Sequence, residues 1–251
     1  MMRILDKTLF AVALGAVGLF STAASAQQGA FTDDFNLGDC SFSTEGDNPF
    51  FPLRPGFHRL LEGESDGEEV AVDIDVTRKT RTITLDIDGK RTRVKTRIVQ
   101  ELETEGGEIV EISQNYFARC KQTGDVFYFG EDVDIYEDGE VVSHDGAWLA
   151  GVDGAQPGLI MPGRFLLGSR YVQEIAPNAM DQATHTEMGV TLETEAGTFE
   201  GCVRTIETSP LEPGHESPKT YCPGVGLAVD SDVELVEFGR AKKHHLDPED
   251  D

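Results

Sequence analysis

"TRTITLDIDGKRTRVKTRIVQELE", Thr80 to Glu103, decides the fold. Its first half, Thr80 to Ile87, alternates polar and apolar residues, so that Ile83, Leu85 and Ile87 fall on one side of an extended chain. Asp88-Gly89 follows. Both residues of a two-residue hairpin turn that matches strand twist need a left-handed backbone, and Asp-Gly is among the pairs that adopt it most readily. The pattern then resumes in "RTRVKTRIVQELE". This is a β-hairpin, and the surrounding sequence reads the same way. "EVAVDIDV" (Glu69 to Val76) alternates before it. After it come "EIVEISQNYFARC", "DVFYFGEDVDIY", "EVVSHDGAWLA", "RYVQEIA", "EMGVTLETEA", "GTFEGCVRTIE", "KTYC" and "DVELVEFG". Glu105-Gly106-Gly107, Thr123-Gly124-Asp125, Asp138-Gly139 and Ala196-Gly197 make short connections. No segment has the 3.6-residue apolar period of a helix. The expected class is all-β and mainly antiparallel. About ten strands would form an up-and-down or half-open barrel, with a two-sheet sandwich as the alternative.

One connection is long. "GVDGAQPGLIMPGRF", Gly151 to Phe165, is rich in Gly and Pro but holds Leu159, Ile160 and Met161 together. Three adjacent apolar side chains call for cover. The segment is expected to be a covering loop, either a strap closing one end of the core or a lid over a cavity mouth.

The ends read differently. Arg3 and Lys7 precede the apolar run Thr8 to Phe20, and Ala24-Ser25-Ala26 has the small residues of a cleavage site, so residues 1–26 are read as a signal peptide. No cysteine closely follows that site, which argues against a lipid anchor there. Residues 27–47 are expected to form an extended arm, 48–240 a barrel-like domain and 241–251 a charged tail containing His244 and His245. No run approaches the 18 apolar residues of a spanning helix. The chain is therefore read as periplasmic or secreted and not membrane-spanning.

The formal net charge is -25. Such a surface repels nucleic acid and anionic membranes. Arg outnumbers Lys, 13 to 8, and an acidic, Lys-poor surface suits a salty medium that screens self-repulsion. Four cysteines in an exported chain favour two disulfides. Cys202 and Cys222 lie in consecutive expected strands and are the favoured pair, leaving Cys40 with Cys120. Free or metal-bound thiols are the rival, without C-x-x-C spacing to support it.

"NPFFPLRPGF" (Asn48 to Phe57) and "TYCPGVGLAV" (Thr220 to Val229) resemble the opening and closing signatures of a group of exported bacterial β proteins similar to the half-barrels of the lipoprotein-carrier superfamily. Members often read "NPYFPLKPGT" and "YYAPGVGLV"; Cys222 here stands where they carry Ala. The resemblance brackets Asn48 to about Gly239 and implies a fold, but no catalytic or binding residues.

No nucleophile elbow, H-E-x-x-H or phosphate-binding loop occurs, and no catalytic residue is assigned. The densest polar stretch is "FGEDVDIYEDGEVVSHDGAW", Phe129 to Trp148. As a calcium loop from Asp134 it matches at Asp134, Asp138 and Gly139, but fails at Tyr136 and at Asp145, which is shorter than the usual Glu. As a hairpin turning at Asp138-Gly139, it pairs Asp132 with Asp145, Asp134 with Ser143, Val133 with His144 and Phe129 with Trp148. One face would then hold Phe127, Phe129, Val133, Ile135 and Trp148 with Glu131 and His144 among them, and the other Asp132, Asp134 and Asp145.

The first expectation is an exported carrier of an apolar, amphipathic or lipid-like small molecule. Phe127, Phe129, Glu131, His144 and Trp148 would line its cavity, with Met161 in the cover. The second is a Ca2+-dependent interaction protein using Asp132, Asp134 and Asp145. The third is a hydrolase or isomerase using His144 and Glu131. A bulge would shift the hairpin by one residue and bring His144 to the aspartates.

Overall fold

The computed structural model describes residues 30–240. The expected signal peptide and charged tail, with His244 and His245, lie outside them. A 3-10 turn at Leu37–Asp39 precedes β1 (Phe42–Ser43), β2 (Phe57–Ser65), β3 (Glu68–Ile87), β4 (Lys90–Glu105) and β5 (Glu108–Cys120). Next are β6 (Val126–Glu137), β7 (Glu140–Ser143), β8 (Trp148–Leu149), β9 (Gln156–Met161), β10 (Arg170–Val172) and β11 (Glu174–Ile175). The chain ends with β12 (Gln182–Thr194), β13 (Gly197–Thr208), β14 (Ser217–Cys222), β15 (Gly226–Asp230) and β16 (Val233–Arg240).

The fold is all-β and antiparallel, a single 16-stranded sheet in the order β10-β12-β13-β14-β15-β16-β2-β3-β4-β5-β6-β9-β11. β1, β7 and β8 pair beside this path, on β5 and β6. The two ends of the path, β10 and β11, are separated in sequence by Gln173 alone. The sheet therefore curls until its edges meet at one residue, giving a nearly closed barrel and removing the exposed edges that invite aggregation. The sixteen strands exceed the ten expected because short strands of two to six residues fill the connections. Leu159, Ile160 and Met161 are not a covering loop: they lie in β9, which pairs with β6 through Phe127↔Leu159 and Val126↔Met161.

The Asp88-Gly89 turn forms as expected, with φ of 53° and 76°. "EVAVDIDV" and "TRTITLDI" are parts of one strand, β3, interrupted by an irregularity between the pairs Val76↔Val99 and Thr80↔Arg97. The three intervening residues leave carbonyls out of the ladder. The buried Arg97 guanidinium takes them up, donating to Thr77 O (3.3 Å) and Arg78 O (3.0 Å), while its Nη2 reaches Glu45 Oε1 at 3.1 Å.

Both disulfides form, Cys40–Cys120 and Cys202–Cys222. The first fixes the N-terminal arm, whose Phe42 packs edge-on against Phe129 with ring centroids 5.3 Å apart. The opening and closing motifs touch each other: Gly224 N donates to Pro49 O at 2.7 Å, and Arg54 Nη2 donates to Gly224 O at 3.3 Å. Asn48, 2% exposed, ties the opening motif to β9 and its flank through Nδ2, which reaches Gly124 O (3.1 Å) and Pro162 O (3.0 Å). The main core includes Leu53, Leu61, Ile74, Val76, Val99 and Phe129, and a smaller cluster joins Met161, Phe165, Val203 and Tyr221.

Candidate functional site

Strand alternation and one bulge decide what faces the barrel interior. Across β2, β3, β4 and β5 the register aligns Arg59↔Ile74, Ile74↔Glu101 and Glu101↔Ser113, so these residues share a face. On β6, Phe117↔Tyr128 is followed by Asn115↔Glu131, with Phe129 and Gly130 together opposite Tyr116. Gly130 has φ of 129°, and a Cβ there would lie 2.4 Å from Trp148 O. Only glycine fits, and its extra residue resets the alternation. Tyr128 and Glu131 consequently face the same way, while Phe127 and Phe129 face the N-terminal arm.

The interior holds a cavity of about 400 Å³, within the usual range for small-molecule sites of about 300–1,000 Å³. Phe51, Ile74, Phe117, Ile160 and Leu227 supply apolar wall. The polar wall is mainly acidic. Glu101 comes from β4, Glu111 from β5, Glu131 from β6, Glu174 from β11, Glu207 from β13 and Asp230 from β15; Asp181 and Glu212 come from the adjoining loops. Against these eight carboxylates stand two bases, Arg59 and Lys219. The exposed members of the lining, Asn178, Leu211 and Glu212, mark the opening to solvent.

Lys219 is already engaged. It lies 2.7 Å from Asp230 Oδ2 and 3.4 Å from Glu207 Oε2. Burial alone would lower its pKa, but Glu207 and Asp230 outweigh that and raise it. Gln173, 2% exposed at the seam, donates from Nε2 to Glu207 Oε1 at 2.7 Å, which leaves its Oε1 without a partner. Among the described residues no ion pair within 4 Å engages Glu101, Glu111, Glu131 or Glu174.

The energetic consequence is direct. A carboxylate removed from water without a counter-ion is costly, so it holds its proton to higher pH. Burial pushes Glu131 up to about 8, with Glu101, Glu111 and Asp181 adding to the effect and Tyr128 opposing it. Burial, Glu101 and Glu111 push the neighbouring Glu103 to about 7. Burial raises Glu101, Glu111, Asp181 and Glu207 as well, and with the help of Glu131 raises Glu174 well above its ordinary value.

The residues singled out from sequence divide. Glu131 lines the cavity. Trp148 is buried beside it, edge-on to the lining residue Tyr128 at 5.3 Å. Phe127, Phe129 and Met161 belong to the packed core rather than the lining. His144 does not join Glu131. The expected two-residue turn forms and Tyr136 pairs with Val141, but a bulge then pairs Ile135 with Ser143. This one-residue shift brings His144 Nδ1 to 2.9 Å from Asp134 Oδ1 and 2.8 Å from Val133 O on the exposed surface. The His144–Glu131 acid–base pair expected for a hydrolase is not assembled. Asp132 turns elsewhere: its Oδ2 accepts from Arg81 and from the Tyr116 hydroxyl, each at 2.6 Å. Asp132, Asp134 and Asp145 thus do not converge.

Among the described residues, His58, Asp73 and Asp75 form the one group of three able to share a metal ion. His58 Nδ1 lies 3.1 Å from Asp73 and 3.2 Å from Asp75. Their hydrogen bonds outweigh burial and raise His58 to about 9, so a proton on the imidazole already sits between the two carboxylates. Alternation places His58 on the opposite face from Arg59 and thus away from the cavity.

Sequence reasoning missed Glu101, Glu111, Gln173, Glu174, Asp181, Glu207, Lys219 and Asp230. The one local signal was Gly130, a glycine inside an aromatic strand, which marks a bulge and a change of face.

No family model matches the chain, and no curated protein matches it. Among solved structures, a crystal structure of a "putative lipoprotein" from Parabacteroides distasonis is similar over 78% of this chain and 100% of that one, with 13% identity and a TM-score of 0.35.

Proposed function

We propose that this chain is an exported barrel protein that binds a cationic, amphipathic small molecule in its interior. One observation carries the proposal: eight carboxylates and two bases surround a 400 Å³ cavity, and the bases cannot neutralise the acids. A positively charged group would let those acids ionise, in surroundings where charge attraction is stronger than in bulk water. Met180, Ile160 and Leu227 offer apolar contact to the rest of such a molecule. The expected carrier role is retained, with the ligand, expected to be apolar, amphipathic or lipid-like, now read as cationic. Two disulfides support export to an oxidising compartment.

The test is calorimetric titration at pH 8.5 with hexylamine, hexanol and hexanoate, which share a chain and differ in charge. Hexylamine alone should bind, at one molecule per protein. Equal binding of hexanol or hexanoate, or no binding of the amine, would refute a cation site.

A further inference from the structure

We propose that the ligand is an extended organic cation with two or more ammonium groups, a linear diamine or polyamine, and not a metal ion or a lone ammonium. This rests on the cation-binding reading above. Three observations carry it further.

First, the unneutralised acids are spread out. Glu111 pairs across the sheet with Ile135, whereas Glu131 lies four residues further along the same strand. At about 3.3 Å per residue and about 4.8 Å between strands, their backbones stand roughly 14 Å apart. Glu101 lies between them in register, opposite Ser113. A single small ion cannot satisfy groups so placed.

Second, no three of the cavity's described acids approach closely enough to share an ion; His58, Asp73 and Asp75 alone do so, outside the cavity. Metal ions need ligand atoms that converge, and these diverge along a wall.

Third, the cavity contains a built acceptor. Gln173 is 2% exposed, and its Nε2 is committed to the Glu207 carboxylate. Its Oε1, able only to accept, lacks a donor. An ammonium N–H supplies one, while its charge answers Glu174 and Glu131 on the same side of the seam. Ile74 and Phe117, which flank the acids in the cavity wall, offer apolar contact to the methylene spacers of a polyamine.

The decisive experiment uses the full chain at pH 8.5 and constant ionic strength, titrated calorimetrically with butylamine, 1,4-diaminobutane, spermidine and CaCl2. Wild type is compared with Glu111→Gln, Glu131→Gln and Gln173→Met. The exposed Glu64→Gln serves as the control, because an acidic surface also attracts polyamines. Spermidine should bind one per chain, on the order of tenfold more tightly for each added ammonium. Each cavity variant should weaken it by a similar factor, and Glu64→Gln should not. Circular dichroism melts establish that the variants fold, and any one folded cavity variant suffices for the comparison. Equal affinity for butylamine and spermidine would overturn the polyamine proposal while leaving cation binding intact. So would displacement of the amine by stoichiometric Ca2+. Binding of many molecules per chain, indifferent to the cavity variants, would place the interaction on the outer surface and overturn both, as would no amine binding at all.

Discussion

Gln173 and Glu207 meet at the barrel seam: at the single residue between the two ends of the sheet, the Gln173 amide donates to the buried Glu207 carboxyl at 2.7 Å. The bond links the seam to β13 on the far side of β12. Removing one partner of a buried hydrogen bond leaves the other unsatisfied, at a cost of about 1–3 kcal/mol. Gln173→Ala should lower stability by that amount in urea titration. Gln173→Glu should cost more, and increasingly so above neutral pH, because it sets a second acid against Glu207.

The ligand-free protein should lose stability as pH rises. Glu131 has a folded pKa of about 8, above its ordinary value of 4.5, so the folded state binds more protons between those limits and becomes less stable across them. His58, raised from 6.5 to about 9, adds in the same direction. Its contribution is fully present below 6.5 and is lost as pH rises through 9. Melting temperature should fall from pH 5 to pH 9. Glu131→Gln should flatten the fall between about 4.5 and 8, and His58→Gln the fall between 6.5 and 9. A melting temperature that climbs over this range would contradict both assignments.

The disulfides should differ in value. Cys40–Cys120 closes a sequence separation of 80 residues and Cys202–Cys222 one of 20. Loop-closure entropy then gives about 4.5 and about 3 kcal/mol respectively. Cys40→Ala/Cys120→Ala should destabilise more than Cys202→Ala/Cys222→Ala in denaturant titrations. It should also expose the arm's Phe42 to limited proteolysis.

His144 should be dispensable for binding. Its side chain is 69% exposed and paired with Asp134 on the surface, where ion pairs contribute about 0–1 kcal/mol. His144→Ala should leave amine affinity unchanged and shift stability by under about 1 kcal/mol. A large loss of affinity would place the site on the wrong side of β6.

The architecture was legible where local chemistry fixes it. Asp88-Gly89 and Asp138-Gly139 each mark a turn that forms, and the alternation of β3 and β4 names buried residues such as Ile83 and Leu85. Both disulfide pairings followed from strand adjacency and the number of cysteines. The cavity was not legible, because period-two alternation divides residues between faces without saying which face is inside. Val99 and Glu101 lie on one face of β4 and Gln100 and Leu102 on the other, and nothing local chooses between them. The Gly130 bulge reverses the face midway along β6, so Phe127 and Glu131, four residues apart, part company. Seam residues such as Gln173 and Glu174 join Glu131 and Glu207 only when the sheet closes.

Proton release on binding tests the central claim most directly. An amine keeps its charge at pH 7, since its pKa is near that of Lys, about 10.4. The cavity's Glu131, at about 8, is then largely protonated, and its neighbour Glu103, at about 7, about half so; Glu131 must ionise to hold the amine. Calorimetric titration of spermidine in buffers of different ionisation enthalpy counts the protons released. About one or more per amine at pH 7, falling towards none above pH 9, with affinity rising over the same range, is the result expected. Binding without proton release and with pH-independent affinity would contradict it, because it would assign the amine to surface carboxylates that are ionised already.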